Sequence, residues 1–312
     1  MERKNSITLS IVIPVFCEED NIQYIFDQMI DHVGSMNIPY EIIFIDDGST
    51  DQTWNKITAL GRQHPEVKGL RFSRNFGKEN ALFAGLTYAA GDAVITIDGD
   101  MQHPPELIPK MYQLWENNSA EIVDVIKKTR PKETLFYKIN SSIFYFLFQK
   151  LSGLEITNAT DFKLLDRKVV DNIVQMQETN RFYRGITHWV GFKHETIQIS
   201  IPDRLQGGTK WKISGLFTYA MNNILGFTSK PLLFIGIMGI VFLISAIIVL
   251  LISVVRILTN TTAEGFPTVI FLILFTGGII ISSQFLMGIY IAKVFDEVKH
   301  RPSYIIKQLL NI

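Results

Sequence analysis

Along the first ~130 residues, apolar and polar positions follow two alternating rhythms. Leu9–Val15 is a short apolar run containing Pro14 and reads as a strand. Asn21–Val33 sets Ile22, Ile25, Phe26, Met29 and Val33 on one helical face, and Asp51–Arg62 does the same with Trp54, Ile57 and Leu60. Between and after them, Glu41–Ile45, Lys68–Phe72, Ala93–Ile97 and Glu121–Ile126 read as strands, and Lys78–Ala90 and Pro105–Glu116 as helices. Strands alternating with helices predict an α/β domain, a mostly parallel sheet covered on both faces. Ligands of such sheets bind outside the carboxyl ends of the strands. Three predicted strands run out into acidic residues there: Glu18-Glu19, Asp46-Asp47 and Asp98-Gly99-Asp100. They are expected to converge on one edge.

Beyond the α/β stretch the rhythm gives way to long apolar runs. Leu232–Val255 is interrupted only by Gly236, Gly239, Ser245 and Ser253, and Val269–Ala292 has Gln284 as its most polar residue. As helices of 24 residues each they reach about 36 Å, enough for a bilayer core of roughly 30 Å. Core helices of that length usually keep a polar face, and these have almost none. A hairpin of two membrane helices is therefore predicted. Lys210, Lys212 and Lys230 precede it and Lys293, Lys299, Arg301 and Lys307 follow it, whereas the link 256–268 holds only Arg256 and Glu264. The positive-inside bias then puts the first domain and the tail in the cytosol, in the cell membrane. The expected divisions are a cytosolic domain 1–210, a juxtamembrane segment 211–230, the hairpin 231–293 and a cytosolic tail 294–312. Residues 214–229 have a helical apolar pattern that suits the membrane interface or packing on the first domain. The aromatic stretch 134–151 is open to the same two readings. Gly278/Ser282 and Gly288/Ala292 have a spacing that lets helices approach closely.

Composition narrows the function classes. Lys+Arg and Asp+Glu are 30 each, so the formal charge is zero and no basic nucleic-acid surface is indicated. The single cysteine, Cys17, excludes an intrachain disulfide and has no histidine placed to make it a nucleophile. The first apolar run is short and lacks a small-residue cleavage site, so it is read as a strand and not as a signal peptide.

The chemistry-bearing residues sit at the strand ends. Two carboxylates separated by a small residue, Asp98 and Asp100 around Gly99, can reach one hard divalent cation together and bridge it to a diphosphate. A lone acidic triplet is more often a solvated turn. Its place after a buried strand, followed by Met101-Gln102-His103-Pro104-Pro105-Glu106, raises its value. In Asp46-Asp47-Gly48-Ser49-Thr50-Asp51, one acid or hydroxyl caps the next helix, and the surplus carboxylates suit ribose hydroxyls or base N–H groups. Lys78, at a helix start behind Gly77, opposes the helix dipole and is better explained by a phosphate.

Taken in order, Pro14…Glu18, Asp46-Asp47-Gly48-Ser49-Thr50, Arg74-Asn75-Phe76-Gly77-Lys78 and Asp98-Gly99-Asp100-Met101-Gln102-His103-Pro104-Pro105-Glu106 resemble the GT-A fold glycosyltransferases of family 2. The narrower resemblance is to polyprenyl-phosphate glycosyltransferases: bacterial bactoprenol glucosyltransferases and dolichol-phosphate mannose synthases. It continues through Thr160-Asp161-Phe162-Lys163-Leu164, Glu178–Phe182, Trp189–Phe192 and Arg204–Trp211, and covers nearly the whole chain. The hairpin favours the bactoprenol branch. Two positions depart from the family pattern: Gly99 stands where alanine is commoner, and Lys163 where arginine is commoner, losing a bidentate fork.

The resemblance implies an enzyme that moves a hexose, glucose by branch, from a UDP-sugar to undecaprenyl phosphate with inversion, for decoration of a surface polymer. It implies Mg²⁺ or Mn²⁺ on Asp98, Asp100 and Gln102; a nucleotide-sugar site from Pro14, Val15, Glu18, Asp46, Asp47, Ser49, Gly77, Lys78 and Asp98; catalytic roles for Asp161, Asp100 and Lys78; and a homo-oligomer. For the acceptor phosphate, the available cations are Lys128, Arg130, Arg181, Arg204 and Lys210, with Arg184 nearby in sequence. Gly207-Gly208 suggests a loop closing over substrate. Asp161 is the family's candidate base, but a phosphate monoester with a second pKa near ~6 is largely dianionic at neutral pH. We therefore expect Asp161 to orient the acceptor or a basic residue. The alternatives are a GDP-mannose enzyme, a processive synthase, whose usual Gln-x-x-Arg-Trp signature is missing, and a non-catalytic scaffold.

Overall fold

The computed structural model describes residues 7–127, 149–150, 153, 159–176, 178, 181–199, 228, 230–259 and 265–312. These residues form two compact units, one drawn from 1–212 together with 302–312 and one from 213–301.

The first unit is an eight-stranded mixed, mostly parallel sheet with helices on both faces. In chain order its elements are β1 (Leu9–Val15), α1 (Ile22–Val33), β2 (Tyr40–Asp46), α2 (Thr53–Gln63), β3 (Val67–Phe72), α3 (Lys78–Tyr88), β4 (Ala93–Thr96), α4 (Ile108–Glu116), β5 (Ile122–Lys127), β6 (Ala159–Asp166), α5 (Arg167–Gln175), α6 (Tyr183–Trp189) and β7 (His194–Ile199). The spatial order is β7-β5-β6-β4-β1-β2-β3-β8, where β8 is Ile306–Leu310. β1 pairs in parallel with β2 and β4, and β2 with β3. β6 runs antiparallel between β4 and β5.

The central strands are apolar on both sides because both faces are covered. Leu9, Ile11, Ile13 and Val15 point into a core shared with Ile22, Ile25, Phe26 and Met29 of α1. The intervening Val12 faces α3, so closely that a Cβ on Gly85 would lie 2.2 Å from its Cγ1. α3 therefore sits directly on β1 and β2, and this seats its first residue, Lys78, beside the strand ends.

Two register facts build the site edge. Val15 lies opposite Asp46, so the loops after β1 and β2 leave the sheet together. In the antiparallel β4–β6 pair, Thr96 lies opposite Lys163. Continuing that register by two residues brings Asp98 and Asp161 to the same edge.

Residues 294–312, read as the tail after the hairpin, contain a strand: β8 pairs antiparallel with β3 at the edge of the sheet. Of the second unit, the described parts are α7 (Lys230–Leu258) and α8 (Phe266–Val298). Both are long and apolar enough to cross a membrane, and neither apolar window is buried by protein. Within this unit Phe242 and Phe275 meet at 5.2 Å, and the Tyr290 hydroxyl donates to the Thr228 carbonyl at 2.8 Å. The predicted spans 232–255 and 269–292 fall inside these helices. The segments 134–151 and 211–230 lie almost wholly outside the described residues.

Candidate active site

Pro14, Val15, Phe16, Glu18, Asp47, Lys78, Ala81, Asp98, Gly99 and Asp100 line one open cleft of about 210 Å³ at the carboxyl edge of the sheet. The three acidic strand ends thus converge, and seven of the residues expected at the site are in its wall.

The β1 and β2 loops brace one another. The Cys17 amide donates to Ser49 Oγ at 2.9 Å, and the Glu18 amide to Thr53 Oγ1 at 2.9 Å. Asp51 accepts from the Thr53 amide at 3.1 Å as an Asx turn leading into α2, whose N-cap position is Gln52 without a side-chain cap, so the predicted capping is not made by Ser49 or Asp51. Asp46 is fully buried; it accepts from the Ser49 amide at 2.8 Å and pairs with Arg71 at 3.3 Å. Asp47 accepts from the amides of Phe76 at 2.7 Å and Gly77 at 2.9 Å, fastening the loop that delivers Lys78. Burial raises the Asp47 pKa, against the lowering by those two amides. Gly48 has φ +74°, and a Cβ there would lie 2.3 Å from the Arg74 carbonyl carbon, so the two loops touch through glycine.

Lys78 bridges the deeper carboxylates. Its Nζ lies 2.6 Å from Asp98 Oδ1 and 2.5 Å from Asp161 Oδ2. Burial works against its charge, but Asp161 and Asp98 outweigh burial and hold its pKa above the usual lysine range. Arg184, on α6, grips Asp161 with two nitrogens, Nε at 2.7 Å and Nη2 at 3.0 Å. Burial alone would raise the Asp161 pKa. The Arg184 guanidinium and the Lys78 ammonium instead hold it far below the usual carboxylate range. Both Asp161 oxygens are engaged by cations, an arrangement that disfavours proton uptake. Thr96 Oγ1 donates to the Asp161 carbonyl at 2.5 Å and shares a bond with the Tyr183 hydroxyl at 2.9 Å, so β4, β6 and α6 are tied at this point.

Sequence reading had not singled out Glu79. Its carboxylate accepts from the Tyr183 amide at 2.8 Å. Burial first, then the charge of Asp161, pushes its pKa up to about 7. The pairing of Arg184 with Asp161 was equally hidden, because 23 positions separate them.

Asp98, Asp100 and Gln102 fit a hard divalent cation by the chemistry of their oxygen donors. Asp98 and Asp100 both line the cleft, and the Gln102 amide donates to Asp100 Oδ1 at 3.1 Å, folding the turn around that carboxylate. A second group, Asp124, His188 and His194, brings its ligand-type atoms within 4.8 Å of one another. It suits a cation poorly. Lys163, fully buried, already sits on Asp124, and the imidazoles stack at 4.5 Å and 16°, so their in-plane lone pairs do not converge. Burial, then Lys163, pushes the His188 pKa down to about 4. Lys163 thus compensates a buried carboxylate and does not reach the cleft.

Of the expected acceptor-phosphate cations, Arg181 lies with its guanidinium 3.3 Å above the Phe83 ring and donates to the Glu178 carbonyl at 3.1 Å. Lys128, Arg130, Arg204 and Lys210 lie outside the described residues.

The model of glycosyl transferase family 2 matches residues 10–174, which contain all but the first residue of β1, β2 to β6, and every cleft-lining residue. This chain belongs to that family. Its fold is accordingly the GT-A type, and its activity class is glycosyl transfer. An uncharacterized glycosyltransferase of Synechocystis, sll0501, is 36% identical over 98% of this chain and 97% of its own. A prophage bactoprenol glucosyl transferase homolog of Escherichia coli is 37% identical over 96% and 99%. The bactoprenol glucosyl transferase of Shigella phage SfV is 36% identical over 96% and 98%. Among solved structures, the glucosyl-3-phosphoglycerate synthase of Mycobacterium tuberculosis aligns at TM-score 0.47 and 18% identity over 70% of this chain and 78% of that one, too distant to weigh on function.

Proposed function

We propose that this chain transfers glucose from UDP-glucose to undecaprenyl phosphate with inversion, giving a lipid-linked sugar for a surface polymer. The observation that carries the reading is the cleft in which Lys78 joins Asp98 to Asp161 while Arg184 backs Asp161. The similarity of bactoprenol glucosyl transferases over nearly the full chain, hairpin included, supports the acceptor and the sugar. Pro14, Val15, Glu18, Asp46, Asp47, Ser49 and Gly77 hold the nucleoside and shape its loops. Asp98, Asp100 and Gln102 hold Mg²⁺ or Mn²⁺, which supplies positive charge to the sugar donor's diphosphate.

In this reading a phosphate oxygen of the lipid attacks the anomeric carbon as the bond to UDP breaks on the opposite face. The acceptor arrives ionised, so no side chain has to take a proton. Lys78 meets the negative charge that grows on the leaving diphosphate, and Asp161, backed by Arg184, keeps Lys78 in place. Arg181, Arg204, Lys210, Lys128 and Arg130 are proposed to gather the acceptor phosphate.

α7 and α8 are proposed to span the cell membrane with both termini in the cytosol. The pairing of β8 with β3 supports this, because the segment after the second helix joins the same sheet as the segment before the first. Protease treatment of sealed right-side-out vesicles should leave the sheet domain intact. A homo-oligomer is likewise part of the proposal.

The deciding test uses detergent-purified protein, undecaprenyl phosphate and Mg²⁺ or Mn²⁺. UDP-glucose, UDP-GlcNAc, UDP-galactose and GDP-mannose are offered separately, and lipid products are read by mass spectrometry. Hexosyl-phospho-undecaprenol from UDP-glucose, lost in Asp100→Ala, is expected. Product only from another nucleotide sugar would overturn the choice of sugar, and no lipid product from any would overturn the acceptor.

A further inference from the structure

The strand that follows the second apolar helix is tied unusually closely to the loops of the cleft. β8 pairs with β3 from Gly69↔Leu310 to Phe72↔Ile306, with an irregularity beside Arg71. The tie then continues past the end of the strand, where the Ser73 amide donates to the Ile305 carbonyl at 2.9 Å. Ser73 opens the loop that ends in Lys78. Tyr304 stacks on Phe72 at 5.0 Å and 14°, and Phe72 in turn meets Phe76 of that loop edge-on at 5.8 Å.

A second line runs through Arg71. Its Nη1 donates to Gln308 Oε1 at 3.3 Å, its Nη2 donates to the Ser49 carbonyl at 3.1 Å, and its Nε pairs with Asp46 at 3.3 Å. Arg71 therefore connects β8 to the Asp46–Ser49 turn. At the far end, Asn311 Nδ2 donates to the carbonyls of Gly61 at 2.7 Å and Val67 at 2.9 Å, and a Cβ on Gly61 would lie 2.6 Å from Leu310 Cδ2. The strand is thus fitted to α2 and β3 and does more than cover an open sheet edge, which any short polar strand would do.

None of residues 302–312 lines the cleft. Both loops that shape it, the turn after β2 and the loop after β3, nevertheless hang on residues that β8 holds. We propose that the β8 segment is a positioning strap for the sugar-donor loops: once docked, it sets the Ser49 turn and the Ser73–Lys78 loop in the shape that accepts a nucleoside diphosphate. This rests on the proposed reading of the cleft as the UDP-sugar site.

The test uses full-length protein in detergent, comparing wild type with Tyr304→Ala, with Asn311→Ala and with their combination. UDP affinity is read by calorimetry with Mn²⁺, alongside KM for the sugar donor, kcat and the melting temperature. The double variant is expected to weaken UDP and raise the donor KM by about tenfold, with kcat at saturating donor and KM for the lipid within about twofold. A chain ending at Arg301 should lose more, and a synthetic peptide of residues 302–312 should restore UDP binding to it. A lowered melting temperature with unchanged UDP affinity and donor KM would overturn the strap and leave an ordinary edge cover. If the truncated chain does not fold, the point variants still decide. Wild-type protein that binds no UDP would instead sink the reading of the cleft itself, which keeps the two failures apart.

Discussion

Asp161→Asn removes one charge from behind Lys78 of the cleft and almost none of the side chain's shape. In the intact protein that carboxylate accepts from Lys78 at 2.5 Å and from Arg184 at 2.7 and 3.0 Å. Asparagine keeps one acceptor and turns an amide donor toward one of the two cations. Breaking a fully buried pair costs about 3–5 kcal/mol. Here Lys78 is 42% exposed and retains Asp98, and Arg184 is 31% exposed, so water absorbs part of the loss. About 1–3 kcal/mol remains, or roughly 2–10 °C in Tm for a domain of this size. The pKa of Asp161 lies below its ordinary 3.8, so its stabilisation is present above that value and fades as pH falls through the depressed one. The Tm gap between wild type and variant should therefore persist from pH 5 to about 7, narrow above that as Glu79, whose proton the Asp161 charge helps to hold, ionises in the wild type, and close in strong acid. Transfer should fall roughly 10²-fold, as for loss of one preorganised charge contact. The assay is product formation across pH 6 to 9. A uniform deficit supports an orienting anion. Recovery toward wild type with rising pH would refute the reasoning and make Asp161 a proton acceptor.

Glu79 has a folded pKa raised to about 7 from 4.5, so the native protein holds that proton more tightly than the unfolded chain and loses stability as pH rises between those values. Glu79→Gln keeps an acceptor for the Tyr183 amide and should raise Tm at pH 8 but not at pH 4.5; equal shifts at both would contradict the burial argument. In Gly99→Ala the new methyl would lie 2.8 Å from Val15 Cγ1 and 3.1 Å from the Pro14 carbonyl, so a loss of about 1–2 kcal/mol and weaker UDP binding are expected from melting and calorimetry. Gly48→Ala, with φ +74° and backbone at 2.3 Å, should cost more and separate the β2 and β3 loops; comparable Tm values for the two variants would count against it. Chelation with EDTA should stop transfer, Mg²⁺ or Mn²⁺ should restore it, and neither should restore Asp100→Ala; transfer that persists in EDTA would remove the cation from the site.

Much of this was legible before any coordinates. β1 has the limits read from its apolar run, and α1 buries the five residues its periodicity selects. Those signals are local: a strand or helix that buries one face must repeat its apolar residues at that element's own period. The cleft-lining acids were legible for a related reason, since in a parallel sheet chemistry gathers where strands end. β8 was not legible. Its five residues, Ile306 to Leu310, carry a lysine and a glutamine, and their partner strand lies more than 230 positions away. Nothing in a short window records such a pairing. The bracing done by Asp46 and Asp47 was not legible either, because the amides of Ser49, Phe76 and Gly77 reach them only in the fold.

The sequence by itself determined the α/β class, the two apolar helices, the family, and most of the residues that line the cleft. Each of these depends on residue type and spacing within a few turns of chain. The tertiary structure alone decided what those residues do to one another. β6 reverses direction beside β4, and that reversal carries Asp161 to the edge where Lys78 already meets Asp98. α6 then lays Arg184 on the same carboxylate. Charges interact through space over a few ångströms, and only the folded sheet brings positions 78, 98, 161 and 184 within that distance.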